Sequence, residues 1–258
     1  MALQISMVPF STAPSFTVAD IQQQLAQLWP DLPASSDPCE EDGTCSLQIG
    51  ECFIAIGLMP APIPWSDLEG PCATSILWRD AESALKPHQM HAVVTVSGEL
   101  DPVALSTLLT QATVALMATT PTALGVFWCN AALLVPKGIF TDMALEIMPM
   151  GPPLYIWVDF RVGWNEERTA SGFTTGMRAL GHMEFETHNA SDSPAELRER
   201  LMSLAGYVLD NGPVIKDGNT VGESAEERIQ VVYAGSGFGI EGEVMLLEYQ
   251  PLPSSSLH

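Results

Sequence analysis

The chain has 258 residues, 47% of them apolar, enough for one large or two small domains with a real core and too apolar for a disordered chain. Its net charge of −21 arises from 31 acids against only 10 Lys and Arg, so it lacks bases more than it abounds in acids. That shortage excludes non-specific binding to nucleic acid or an anionic membrane, which needs a cationic surface, and admits a protein partner with a basic surface.

The opening residues MALQISMVPFSTAPSF carry no Lys or Arg and soon meet proline, so no signal peptide of the usual form is expected. No run approaches ~18 consecutive apolar residues, so no membrane span is expected either. Cys39, Cys45, Cys52, Cys72 and Cys129 contain no C-x-x-C pair and read as reduced thiols of a cytoplasmic protein.

Leu3–Val8 reads as a first strand, and Thr17 caps a helix whose Ile21, Leu25 and Leu28 form one stripe before Pro30. Asp31–Gly43 reads as a polar loop carrying Glu40, Glu41 and Asp42, followed by strands at 46–49 and 52–58. Met59–Trp65 is a proline-rich connector that cannot lie inside a sheet. Gly70-Pro71 is expected to hold a helix from Ser66 to about one turn, and a better helix is predicted over 74–86.

His91–Val96 reads as a buried strand, and Asp101-Pro102 opens a long apolar helix to about Met117. Strands are predicted at 124–129 and 154–160, with a helix near 140–148 between them. Ser193-Pro-Ala-Glu196 is a capping box for a helix with Leu197, Leu201, Leu204 and Val208 on one stripe. Val214–Val221 reads as a hairpin turning at Asp217-Gly218, with final strands at 228–233 and 243–249 and a frayed tail at 251–258.

The pattern predicts an α+β protein with mixed or antiparallel sheets flanked by helices. The β-α-β-β-α-β order up to Val96 resembles a split β-α-β, ferredoxin-like unit. The expected division is 1–100, then 101–250 with terminal hairpins, or one continuous sheet across both.

Several motifs together carry a family likeness. They are Pro60–Leu68, Trp78 with His88 and His91, Leu124–Trp128, Leu154–Val158, Thr175-Gly-Met177 running into Gly181 and Glu184–Glu186, and Asp217–Gly222. With these the chain resembles the domain of unknown function 4261 family. The resemblance implies a bacterial, soluble, standalone protein and brings neither an activity nor catalytic residues with it.

The densest titratable stretch is His182–His188, which alternates strictly. As one strand it would place His182, Glu184, Glu186 and His188 on a shared face and Met183, Phe185 and Thr187 on the other. At ~3.3 Å per residue the two histidines would lie about 20 Å apart, so at most two neighbours could share an ion. A metal-dependent enzyme would then draw on His182 and Glu184 with His88 and His91, and would need a divalent transition metal. The simpler expectation is a solvated polar sheet face, no cofactor and no catalytic residue. Gly235-Ser-Gly-Phe-Gly239 lacks a following helix and a Lys, so it reads as a hairpin loop and not a phosphate cradle.

The acidic groups Glu40–Asp42, Glu166–Glu167 and Glu223 with Glu226 and Glu227 read as solvated loops. Where they converge they would form a negative patch for a basic partner. The function expected is therefore non-enzymatic binding of another protein, one form being a neutralising (immunity) or accessory protein of an inter-bacterial toxin system. His182, Glu184, Glu186, His188, Glu40, Glu41, Asp42, Glu223, Glu226 and Glu227 are the candidate binding residues.

Overall fold

The computed structural model of the protein describes residues 2–222 and 229–249 and divides the chain into two compact units, Met1–Asp159 and Phe160–His258. The boundary thus falls well beyond Leu100, because the helix after Asp101 packs on the first sheet and the strands after it extend that same sheet.

In the first unit β1 (Ala2–Phe10) leads to α1 (Val18–Leu28), whose capping box is complete: Thr17 Oγ1 accepts from Asp20 N at 3.2 Å and Asp20 accepts from Thr17 N at 2.9 Å. β2 (Ser36–Glu41), β3 (Thr44–Ile49) and β4 (Cys52–Met59) follow as a meander. The segment expected as a loop is therefore an exposed edge strand. The overlooked signal is Asp42-Gly43, with both residues at positive φ, which closes a two-residue hairpin between Glu41 and Thr44.

α2 (Trp65–Thr74) runs through Pro71 for ten residues, and α3 (Ala81–Leu85) is a separate short helix, which corrects both helix expectations in this region. β5 (Met90–Gly98) then pairs antiparallel with both β4 and β1. β5 is thus inserted between β1 and the β2–β4 meander, in an arrangement with one strand more than the element order read from the sequence.

α4 (Pro102–Thr119) is capped by Asp101, whose carboxylate accepts from Val103 N and Ala104 N. Its length and apolarity would suit a membrane span, yet most of it is buried in this unit. Ile21 and Leu25 of α1, α4, and alternate residues of the strands (Val8, Ile54, Ile56, Val94, Val96) make the main core. Lys137 Nζ closes the far end of α4 by donating to Met117 O and Thr120 O at 2.7 and 3.0 Å.

β6 (Gly125–Trp128) and β7 (Leu133–Pro136) complete the seven-stranded order β2-β3-β4-β5-β1-β6-β7. α5 (Lys137–Asp142) continues into a π-helical turn, and α6 (Leu154–Trp157) stands where a strand was expected. There Pro152 O accepts from Leu154 N and Pro153 O from Ile156 N, which starts a helical turn. Ile156 and Trp157 are buried, and Trp157 stacks on Trp128 at 6.5 Å.

The second unit is built on a six-stranded sheet in the order β11-β12-β13-β10-β9-β8. Its elements are β8 (Asp159–Trp164), β9 (Ala170–Thr175), β10 (Phe185–Ala190), α7 (Pro194–Asn211), β11 (Thr220–Val221), β12 (Ile229–Gly235) and β13 (Glu243–Tyr249). α7 has the expected Ser193–Glu196 capping box and buries Leu197, Leu201, Ala205 and Val208. The predicted hairpin over 214–221 does not form. Thr220–Val221 pairs with Ile229–Gln230 instead, while Asn219 Oδ1 accepts from Lys216 N and closes the Asp217-Gly218 turn. Trp164, at the end of β8, is 63% exposed.

Candidate functional site

The alternating stretch begins its strand only at Phe185, because Gly181, at φ 86°, ends a 3-10 turn and leaves His182–Glu184 as a connection. The four ionisable residues therefore do not share one solvated face. Glu184 and Glu186 are 2% and 1% exposed, and each organises a separate loop.

Glu184 is enclosed by donors. Thr174 Oγ1 donates to it at 2.7 Å, and the backbone N–H groups of Gly176, Met177 and Arg178 donate at 2.9–3.2 Å. Burial pushes its carboxyl up from the ordinary value, with Thr174 and the three N–H groups pulling the other way. His182 sits half-buried beside this turn, its pKa lowered by desolvation, and among the described residues its Nδ1 has no hydrogen-bond partner.

Glu186 lies in mid-sheet, paired with Phe173 of β9 and Leu246 of β13. An uncompensated carboxylate there would cost several kcal/mol. The loop between β12 and β13 supplies the compensation: Ser236 Oγ donates at 2.5 Å and Gly237 N at 2.7 Å, while His188 Nε2–H donates at 2.6 Å from the same strand. Ser236 Oγ also accepts from Phe238 N and Ile240 N, both at 3.1 Å. With its proton and lone pairs so engaged, Ser236 is a loop brace and not a free nucleophile. The glycine-rich loop is the hairpin loop expected, and the anion it holds is the protein's own Glu186.

Gly237 is required by close approach. A Cβ there would lie 2.6 Å from His188 Cε1. The loop then lays Phe238 over the sheet, stacked on His188 at 4.7 Å and tilted against Phe173 at 4.9 Å, with the Arg161 guanidinium 5.8 Å from the Phe173 ring centre. Phe238 remains 41% exposed.

Phe238 and His188 form one wall of a surface groove of about 740 Å³, rimmed by Glu166, Glu167 and Glu248 and, among the described residues, lined by no Lys or Arg. The rim is fixed by Asn165. Its Oδ1 accepts from Glu167 N and Thr169 N, both at 3.0 Å, and its Nδ2 donates to His188 O at 2.7 Å, tying the 165–169 turn to β10. Nearby, Asp192 accepts from Arg200 at 2.8 Å and from Tyr249 Oη at 2.7 Å. Burial would raise its carboxyl, but these partners hold it below the ordinary range.

The first unit puts its two histidines to structural use. His88 Nε2 accepts from Ile63 N at 2.7 Å, so its Nδ1–H donates to Leu85 O; His91 Nδ1–H donates to Ala61 O at 2.8 Å. Both rings thereby pin the proline-rich connector, and burial lowers the pKa of His91. Neither ring nitrogen of His88 has a lone pair to offer a metal, and the Glu184 oxygens are engaged as well. Among the described residues no group of three or more His, Cys, Asp or Glu is placed to hold a metal ion. The Cys129 thiol is pushed up to about 12 by burial, which leaves it inert at neutral pH.

Glu40 accepts from Val18 N in the first turn of α1 at 3.2 Å, and Asp42 sits in the β2–β3 turn beside exposed Glu41. Glu223, Glu226 and Glu227 lie outside the described residues, as do Arg228 and the tail at 251–258. The site residues that sequence reasoning missed are Asn165, Ser236, Gly237, Phe238 and Glu248. The visible signal was Gly235–Gly239, whose glycines permit the close approach to His188.

Fold and site together define a two-unit α+β protein whose C-terminal unit carries an acidic groove walled by an aromatic ring and an imidazole. Residues 173–248, from β9 through most of β13, match the family described as Domain of unknown function (DUF4261), the family that the sequence motifs resemble. Glu184, Glu186, His188 and Phe238 lie inside the matched stretch, whereas Pro60–Leu68, Leu124–Trp128 and Leu154–Val158 lie outside it. No curated protein and no solved structure matches the chain.

Proposed function

We propose that the protein is a non-enzymatic, cytoplasmic protein-binding module of bacterial origin, acting on a partner with a basic surface. Its concrete form is a neutralising or accessory protein of an inter-bacterial toxin system. The observation that carries this reading is the use made of Glu184 and Glu186. The two carboxylates best placed for acid–base chemistry are saturated by donors that hold loops, while other carboxylates stand exposed along a groove. A net charge of −21 favours fast, salt-sensitive association with a cationic surface.

Affinity capture from native lysate at low and high salt tests the reading. A partner retained at low salt and released at high salt is the expected result; recovery of none at either salt overturns it.

A further inference from the structure

The geometry points to the groove between Phe238 and the 165–169 turn as the docking site for a basic, arginine-bearing polypeptide segment. This inference rests on the protein-binding reading above and names the surface and the partner chemistry.

Three features converge there. First, Glu166, Glu167 and Glu248 face one groove, and among the described residues none of the three is in an ion pair. Among the described residues the lining holds no Lys or Arg, so an incoming cation would meet these carboxylates with no resident cation to displace. Second, Phe238 is presented and not merely exposed. The Glu186–Ser236–Gly237 bonds fix its loop, and His188 and Phe173 support its ring while leaving it 41% open. A planar guanidinium can stack on such a ring while its edge meets carboxylates, which favours arginine over lysine. Third, Asn165 ties the turn bearing Glu166 and Glu167 to the strand bearing His188, which fixes the backbone that carries the two carboxylates. About 740 Å³ is room for several side chains.

Fluorescence anisotropy with a dye-labelled hexa-arginine peptide tests the assignment on the full chain. The groove variant Glu166→Gln/Glu167→Gln/Glu248→Gln is compared with a charge-matched control, Asp31→Asn/Glu69→Gln/Glu99→Gln, at exposed positions of the first unit. The groove variant should weaken binding about tenfold, as three surface pairs of modest strength imply, and the control less than about twofold. Phe238→Ala should weaken it about twofold to fivefold, and a hexa-lysine peptide should bind more weakly than hexa-arginine.

Equal weakening by groove and control variants would show diffuse attraction and overturn the assignment, as would no weakening by either. The binding reading itself is scored separately by lysate capture. A partner still captured by the groove variant sinks the groove alone, and peptide binding at the groove with no lysate partner sinks the wider reading alone.

Discussion

His188 donates its Nε2–H to Glu186 Oε1 at 2.6 Å from two residues further along β10. That bond joins a buried carboxylate to a half-exposed ring, and through the ring to the wall of the groove. Replacing Glu186 by Ala should leave Ser236, Gly237 and His188 without their acceptor and lower the stability of the C-terminal unit by about 3 kcal/mol. Chemical denaturation followed by circular dichroism measures it; a change within about 0.5 kcal/mol, as at ordinary surface sites, would contradict the bracing role.

Gly237 and Gly235 make a matched pair. A Cβ at Gly237 would collide with His188, whereas at Gly235 nothing lies within 4 Å. Gly237→Ala should cost about 1–3 kcal/mol and shift the His188 ring resonances in NMR spectra, with Gly235→Ala close to neutral. Equal effects from the two would refute the close approach.

The connector latch in the first unit should sense acid. Burial holds the His91 pKa below its ordinary 6.5, so the folded chain binds fewer protons than the unfolded one just below that value. Its contribution to stability is therefore complete above 6.5 and falls as the pH drops beneath it. Wild type should lose melting temperature between neutral and mildly acid pH more steeply than His91→Phe, which has no proton to gain. Parallel profiles would count against the latch.

With the His88 nitrogens and the Glu184 oxygens engaged by the protein itself, treatment with EDTA should leave the melting temperature unchanged. A fall of several degrees, restored by a transition metal, would show a metal-dependent fold and revive the enzyme alternative.

Helix starts were the most legible part of the sequence, because their signals are local. Thr17, Asp101 and Ser193 each cap the helix expected of them, through bonds to N–H groups two or three residues away. The fate of Glu184 and Glu186 was not legible. Alternation over 182–188 is compatible with water or with burial, and the choice was made by distant partners: Thr174 ten residues upstream, Ser236 fifty downstream. Asp42-Gly43 carried a hairpin signal that the polarity around it obscured, and Pro71 was read as a stop in a helix that runs through it. The groove joins Glu166 to Glu248 across a sheet, a pairing that no spacing in the chain encodes.

The central claim is that exposed acids in the groove recruit a basic protein. The most direct measurement captures partners from native lysate with wild-type protein and with the Glu166→Gln/Glu167→Gln/Glu248→Gln variant, side by side at low salt. The account predicts a basic protein held by the wild type and lost from the variant. A wild-type eluate with no partner, or the same partner in equal yield from both, would contradict it.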